Sequence, residues 1–147
     1  MDGHARRCWK VLAFFALTLI GGCSRFDKQW DLVAGVPVSD PIAGCWEGDW
    51  VSERNQHRGT LRCIATRVSD DTYLAWFDAT YWTFCSGDYV ALLKVTPAGD
   101  AWQFTAESDL GALAGGVYRQ TGQVKDGTYT ATYDADHNFG RIEMTRP

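Results

Sequence analysis

The stretch GCWEGDW, residues 44–50, decides the fold class. Glycines and tryptophans occupy its even positions, while the acids Glu47 and Asp49 occupy odd ones. Because successive side chains of a β-strand point to opposite faces, this pattern predicts a strand with its tryptophans inward and its acids in solvent. Glycine on the inward face permits a tight bend or the close approach of a neighbouring strand, which suits closure of a barrel.

The chain beyond this stretch repeats the period-two pattern in short segments that are separated by turn residues. Pro97–Asp100 and Lys125–Gly127 are the strongest hairpin turns among them. No segment shows a convincing helical period, so residues 43–147 are predicted to form one all-β domain of about eight strands. Successive hairpins favour an antiparallel up-and-down meander that closes into a small barrel, since closure removes both exposed edges. A β-sandwich is the alternative. The predicted strands after the first are 58–68, 73–82, 88–96, 101–107, 117–124, 128–133 and 139–145.

The residues Gly44-Cys45-Trp46 resemble the Gly-x-Trp signature of lipocalins and related calycin barrels. The resemblance implies that Trp46 seals one end of the barrel and that an arginine near the C-terminus packs across it. Arg141 and Arg146 are the candidates for that arginine. The resemblance implies a lipocalin-like barrel but no particular ligand.

Residues 1–22 show the parts of an export signal, with basic residues at positions 6, 7 and 10 ahead of the apolar run Val11–Ile20. That run is too short to cross a membrane, which takes about twenty residues. The segment Ile20-Gly21-Gly22-Cys23 then resembles the lipobox of bacterial lipoproteins. This resemblance implies removal of the signal peptide before Cys23 and lipid on the Cys23 sulfur.

A lipidated N-terminus implies a protein of the cell envelope that is anchored to a membrane through the lipid on Cys23. Ser24 follows the cysteine where aspartate favours inner-membrane retention, so the outer membrane is the expected location. Residues 23–42 contain Gly35, Pro37 and Pro41 and show no sustained period, which predicts a tether. Aromatic and aliphatic residues at positions 30, 32 and 33 could nevertheless fold back onto the domain.

Charge and motifs exclude several functions. The formal charge is −4, and removal of the basic signal makes it more negative, so nucleic acid is not an expected partner. The chain contains no nucleophile elbow, no paired metal-binding histidines and no phosphate-binding glycine loop. We therefore predict no catalytic residues, no metal and no cofactor.

Three cysteines, Cys45, Cys63 and Cys85, follow the lipidation site in a compartment that permits disulfides. An odd number allows at most one pair and leaves one thiol over. Cys63 could pair with Cys45 or with Cys85, and we favour a disulfide between Cys63 and Cys85.

Two functions fit these observations. The first is a non-catalytic barrel whose mouth binds a small apolar molecule, with the glycine-rich segment 109–116 as a mobile rim. The alternative is a protein-interaction module, such as an envelope assembly factor or an enzyme inhibitor. It would dock through the third strand, where large rings alternate onto both faces. A barrel interior packed solid by its own side chains would favour this alternative. The candidate ligand-lining residues are Trp46, Trp50, Trp76, Phe77 and Trp102.

Overall fold

The computed structural model describes residues 19–82, 85–111 and 116–147. Within these ranges, each strand pairs antiparallel with the next along the chain, and the last strand pairs with the first to close a barrel. The predicted all-β meander and barrel are confirmed, and the sandwich alternative is not. The elements are α1 (Leu19–Val33), β1 (Gly44–Ser52), β2 (Arg58–Arg67), β3 (Thr72–Trp82), β4 (Cys85–Ala98), β5 (Ala101–Asp109), β6 (Val117–Lys125), β7 (Thr128–Ala135) and β8 (Asn138–Thr145).

Strand β1 has the predicted orientation and makes the closing seam with β8. Trp46 and Trp50 are buried inside the barrel, whereas Glu47 and Asp49 are exposed. At Gly48 a side chain would place its Cβ 2.0 Å from the carbonyl oxygen of Glu143 on β8. Only glycine lets the two strands approach this closely, so the inward glycine of the opening stretch serves barrel closure.

The end of the barrel where β1 begins is closed by Trp46 and Arg146. The indole Nε1 of Trp46 donates a hydrogen bond of 2.8 Å to the carbonyl oxygen of Ile42. The Arg146 guanidinium carbon lies 3.9 Å from the centre of a Trp46 ring, and its Nη1 donates to the carbonyl oxygen of Ala43 at 2.5 Å. Of the two candidate arginines, Arg146 therefore packs across the tryptophan, while Arg141 forms a surface ion pair with a glutamate.

The loop that crosses this closed end is held by Asp40. Its carboxylate accepts hydrogen bonds from the backbone N–H groups of Ile42 and Ala43, at 2.8 and 2.9 Å, and from the hydroxyl of Tyr73 at 3.0 Å. Burial opposes ionisation of this carboxyl, but these hydrogen bonds and the nearby charge of Arg67 outweigh it and lower its pKa. The carboxylate form of Asp40 is thus the form that closes this end.

Residues 23–33 do not form a simple tether, because they belong to helix α1, which is docked on the outside of the barrel. Phe26, Trp30 and Val33 fall on one helical face and pack over Cys45 and Ile64. Phe26 is only 1% exposed. Of the three tether residues that could fold back, Trp30 and Val33 do so, whereas Leu32 is exposed. Residues 19–22 of the helix precede the proposed cleavage point. None of the described helices is long and apolar enough to cross a membrane.

Arg62 on β2 fastens the helix to the barrel wall. Its Nη2 lies 2.7 Å from a carboxylate oxygen of Asp27 on α1 and 2.7 Å from one of Asp78 on β3. The guanidinium carbon also stands 5.0 and 5.4 Å from the ring centres of Phe26 and Trp30. The partly buried Arg62 side chain thus links the helix, β2 and β3 through ion pairs and cation–π contacts.

The helix covers part of the aromatic surface that favoured a docking function. The ring of Trp76 on the outer face of β3 meets Phe26 edge-on at 5.0 Å, and its Nε1 donates to Asp88 at 2.8 Å. Tyr73 and Phe77 point into the barrel, where both are buried. The folded-back helix therefore covers Trp76, whereas Tyr73 and Phe77 are covered by the barrel itself. A row of aliphatic side chains stays exposed on the outer face of β3 and β4: Leu74, Val90 and Leu92.

The disulfide predicted between Cys63 and Cys85 is wrong, because Cys45, Cys63 and Cys85 are all free thiols. Cys63 lies inside the barrel on β2, whereas Cys85 is exposed at the start of β4, with β3 between them. Two strand spacings already separate the backbones by about 10 Å, beyond the roughly 7 Å that a disulfide can bridge. Burial raises the pKa of the Cys63 thiol well above its usual value, so this thiol stays protonated.

Candidate functional site

A cavity of about 130 Å³ lies at the end of the barrel opposite Trp46. Its walls are made mainly by side chains near the ends of the strands, and one tryptophan and four tyrosines are among them. The cavity is enclosed by the barrel on its sides and reaches the surface between the loops. The lining residues are Trp50, Leu61, Ala79, Tyr81, Tyr89, Leu110, Tyr118, Tyr133, Ala135, His137, Asn138 and Ile142.

The aromatic walls are positioned by contacts with the strands behind them. Trp50 donates from Nε1 to the carbonyl oxygen of Thr80 at 2.9 Å, which fixes its ring at the end of β1. Its ring lies 5.7 Å from that of Tyr81. Tyr89 stacks on the fully buried Phe77, with ring centres 5.0 Å apart. The cavity is therefore preformed by side chains that are already packed.

A chain of hydrogen bonds runs from the cavity into the barrel core. The hydroxyl of Tyr129 donates to Oε1 of Gln120, whose Nε2 donates to the hydroxyl oxygen of Tyr118 at 2.8 Å. The hydroxyl of Tyr89 also donates to Tyr118, at 3.4 Å. Gln120 is 1% exposed, so this amide is buried with both ends satisfied. The chain ends at Tyr118, which lines the cavity.

Tyr133 lies in the cavity wall beside the ends of β1 and β8. It is 7% exposed, and its hydroxyl oxygen is buried. Ser52 and Asn138, which bond to each other at 2.6 Å, lie beside this oxygen. Burial raises the pKa of the Tyr133 phenol, hydrogen bonding with Asn138 and Ser52 opposes part of this rise, and the phenol is a neutral O–H group at physiological pH.

Part of the glycine-rich segment forms the rim, as predicted. The backbone N–H of Leu110 donates to the carbonyl oxygen of Gly116 at 2.9 Å, and that of Gly116 donates to Gly111 at 2.9 Å. This turn directs the Leu110 side chain onto the barrel core and into the cavity wall. Residues 112–115 lie outside the described residues, and the mobility of the rim stays a prediction.

The five residues predicted to line a ligand site are dispersed. Trp50 lines the cavity, and Phe77 lies directly behind Tyr89. Trp46 belongs to the closed end. Trp76 lies outside the barrel under α1, and Trp102 stands 37% exposed next to the β4–β5 turn at the closed end. Four tyrosines line the cavity as well, and none of them is among the five predicted residues.

A larger depression, of about 1070 Å³, lies on the outer surface of the sheet from β4 through β8 to β1. Threonine, glutamine and charged side chains make most of its surface, which is widely open to solvent. We place the candidate site in the smaller cavity because it lies among inward-facing side chains of the barrel and its wall is mostly aromatic and aliphatic. Among the described residues, no group of three or more His, Cys, Asp or Glu side chains could hold a metal ion.

The sequence matches no protein-family model and no curated protein. Among solved structures, the barrel is similar to that of a variant of the fluorescent protein UnaG, with a TM-score of 0.42 and 13% identity. The match covers 75% of this chain and 99% of that chain. At this level of likeness, no property of that protein is carried over, and the chain is described by its own geometry as a small eight-stranded antiparallel barrel.

Proposed function

We propose that this barrel is a non-catalytic binding protein that holds a small, ring-sized molecule in the cavity at its open end. The observation that carries the proposal is the preformed cavity itself, which has Trp50 and four tyrosines in its wall. A concave, mostly apolar cavity with a few polar groups in its wall is the usual form of a small-molecule site.

The size of the cavity narrows the ligand class. Sites for drug-sized ligands are commonly about 300–1,000 Å³, whereas this cavity is about 130 Å³. A cavity of roughly 150 Å³ in another protein binds benzene, so a molecule with a single six-membered ring is the appropriate scale. A long-chain fatty acid does not fit, because the core side chains fill the rest of the interior: the predicted apolar ligand is a small one.

Tryptophan fluorescence tests the proposal, since Trp50 lines the cavity. Titration with single-ring molecules such as cyclohexanone, anisole and phenol is expected to change the emission in a saturable way. Palmitate, which is too long, is expected to cause no saturable change. The proposal fails if no single-ring molecule binds with a measurable dissociation constant.

Two variants make the assignment to the cavity specific. Ala135→Leu puts a branched side chain into the cavity wall and is expected to weaken binding of every single-ring probe. Asp134→Leu adds the same side chain at the neighbouring position of β7, where the residue is exposed on the outside, and is expected to leave binding unchanged. Equal effects of both variants would place binding outside the cavity.

We also propose that the protein is anchored to a membrane of the cell envelope, most simply the outer membrane, by lipid on Cys23. Support comes from the apolar run, the small residues and the cysteine at positions 11–23. Intact-mass measurement on protein from the membrane fraction is expected to show cleavage before Cys23 and added acyl mass. Cys23→Ala is expected to leave the export signal uncut at this point and to abolish the added mass. An unmodified chain that keeps residue 1 would refute the anchor but leave the cavity proposal standing.

A further inference from the structure

We infer that the ligand is amphipathic and enters the cavity with its apolar end first, so that its one polar group stays in water at the mouth. This inference rests on the proposed function and specifies the ligand class and its orientation. The floor and the mouth of the cavity differ in chemistry, and the positions of the side chains along the strands show which of them lie at each end.

The floor of the cavity is aliphatic. Leu61 on β2 pairs with Ala79 on β3, and both side chains are buried, with Leu61 only 2% exposed. Tyr81 lies two residues nearer the end of β3, about 7 Å further out along the strand, and is 46% exposed. On β8, the buried Ile142 lies four residues beyond Asn138, about 13 Å deeper along the strand. Hydrocarbon side chains therefore make the deep end of the cavity.

The polar groups in the aromatic wall are already engaged or buried. The indole N–H of Trp50 donates to a backbone carbonyl oxygen. The hydroxyls of Tyr89 and Tyr118 bond to each other, and the hydroxyl oxygen of Tyr133 is buried. The aliphatic floor cannot form hydrogen bonds, so a polar group of the ligand that reached it would lose its water without replacement.

The mouth has the opposite chemistry. His137, in the turn between β7 and β8, is exposed, and so is Tyr81. Both line the cavity, so a polar group at this end keeps its contact with water and lies beside polar side chains. A cavity of about 130 Å³ holds a single ring, and the two ends of that ring therefore meet the two ends of the cavity. A ring with hydrocarbon at one end and a polar group at the other matches both.

A matched pair of probes tests this inference on the whole protein. The probes p-cresol and hydroquinone each carry one ring hydroxyl, and at the opposite end of the ring p-cresol has a methyl group where hydroquinone has a second hydroxyl. Titrations are followed by chemical shifts in NMR spectra. A hydroxyl that is buried without a partner weakens binding at least about fivefold, so p-cresol is expected to bind at least fivefold more tightly.

The orientation can be read directly, because methyl-bearing residues occur at both ends of the cavity. Leu61 and Ile142 lie at the floor, whereas Leu110 and Ala135 lie at the mouth. In methyl-labelled protein, the methyl protons of p-cresol are expected to show nuclear Overhauser effects to the methyl groups of Leu61 and Ile142. The ring protons beside its hydroxyl are expected to show them to Leu110 and Ala135. The reverse pattern would overturn the orientation.

A serine at the floor tests whether the preference arises there. Ala79→Ser supplies a hydroxyl that can pair with the inner hydroxyl of hydroquinone, and is expected to narrow the preference for p-cresol about fivefold. Ala75→Ser is the matched control, because Ala75 is a buried residue of the same strand that does not line the cavity. That control is expected to keep the preference.

Each outcome separates the two proposals. Equal affinity for both probes, or tighter binding of hydroquinone, would overturn the amphipathic ligand class and leave small-molecule binding intact. Equal narrowing of the preference by both serine variants would overturn the assignment to the floor. Failure of p-cresol and of every other single-ring probe to bind would remove the inference together with the proposed function.

Discussion

The Arg146→Met substitution is expected to be among the most destabilising changes outside the hydrophobic core. Methionine keeps an apolar stem over the closed end but removes the guanidinium, which lies 3.9 Å from a Trp46 ring centre. The substitution also removes hydrogen bonds to three backbone oxygens, those of Ala43 at 2.5 Å and of Asp40 and Pro41 at 3.2 Å each.

The magnitude can be worked from these contacts. A hydrogen bond from a charged donor contributes about 1.5–3 kcal/mol, and the short, partly buried bond to Ala43 falls in this range. The two longer bonds add less, because their carbonyl oxygens can turn to water when the arginine is removed. A cation–π contact contributes about 0.5–2 kcal/mol. The expected loss in the free energy of unfolding is therefore about 3 kcal/mol.

Urea denaturation followed by tryptophan fluorescence measures this loss. With a slope of about 2 kcal/mol per molar urea, the midpoint should fall by roughly 1.5 M. Arg141→Met is the matched control five residues earlier in the chain, because Arg141 makes an exposed ion pair with Glu53 at 2.9 Å. Exposed pairs contribute about 0–1 kcal/mol, so this control should barely move the midpoint. Equal shifts for the two variants, or a loss below about 1 kcal/mol for Arg146→Met, would refute the reasoning.

Three further predictions concern acid stability, thiol reactivity and helix docking. The folded-state pKa of Asp40 is lowered, so its ionised form stabilises the fold above the unfolded-state pKa, and this stabilisation is lost as pH falls through the folded-state pKa. We therefore expect Asp40→Asn to reduce the fall of the urea midpoint between pH 6 and pH 3. Iodoacetamide should modify the exposed Cys85 in the native protein, and Cys45 and Cys63 only after unfolding, as measured by mass spectrometry. If Cys85 reacted only after a reductant was added, the assignment of Cys85 as a free thiol would be wrong. Phe26→Ala should destabilise the protein by about 3 kcal/mol, because the ring is buried between the helix and the barrel. Lys28→Ala, at an exposed helix position, is the control. If both variants changed the melting temperature and the protease sensitivity equally, the helix would not be docked.

The barrel could be predicted because its signals are local. Strands of period two alternate with turns, and the turn Asp126-Gly127 adopts positive φ angles of 49° and 73°, as an Asp-Gly hairpin requires. Strand β4 begins at Cys85, three residues before its predicted start at 88. Gly87 lies in this added stretch and pairs with Ala79 on β3. Pairing with a neighbouring strand overrides the local preference of a glycine.

The helix and the site depend on information that a strand pattern does not contain. The apolar residues of α1 occur at helical spacing, but over too few turns to predict a helix from the sequence. The helix is stabilised by its contact with the barrel, which the local pattern does not show. The predicted lining residues were four tryptophans and one phenylalanine, and this choice missed most of the cavity wall. Tyrosines alternate with Gln120 or Ala131 on the inward faces of β6 and β7. That spacing could have placed Tyr118, Tyr129 and Tyr133 in the interior.

If Cys23 carries a lipid as proposed, the docked helix would also limit how far the domain can move from the membrane. With the proposed lipid on Cys23, three helical residues, or about 5 Å of rise, separate the acyl chains from the immobilised ring of Phe26. A flexible tether as long as residues 23–42 would instead let a domain reach many positions around its anchor. The barrel would stay close to the lipid surface, and its mouth would keep a fixed orientation relative to that surface.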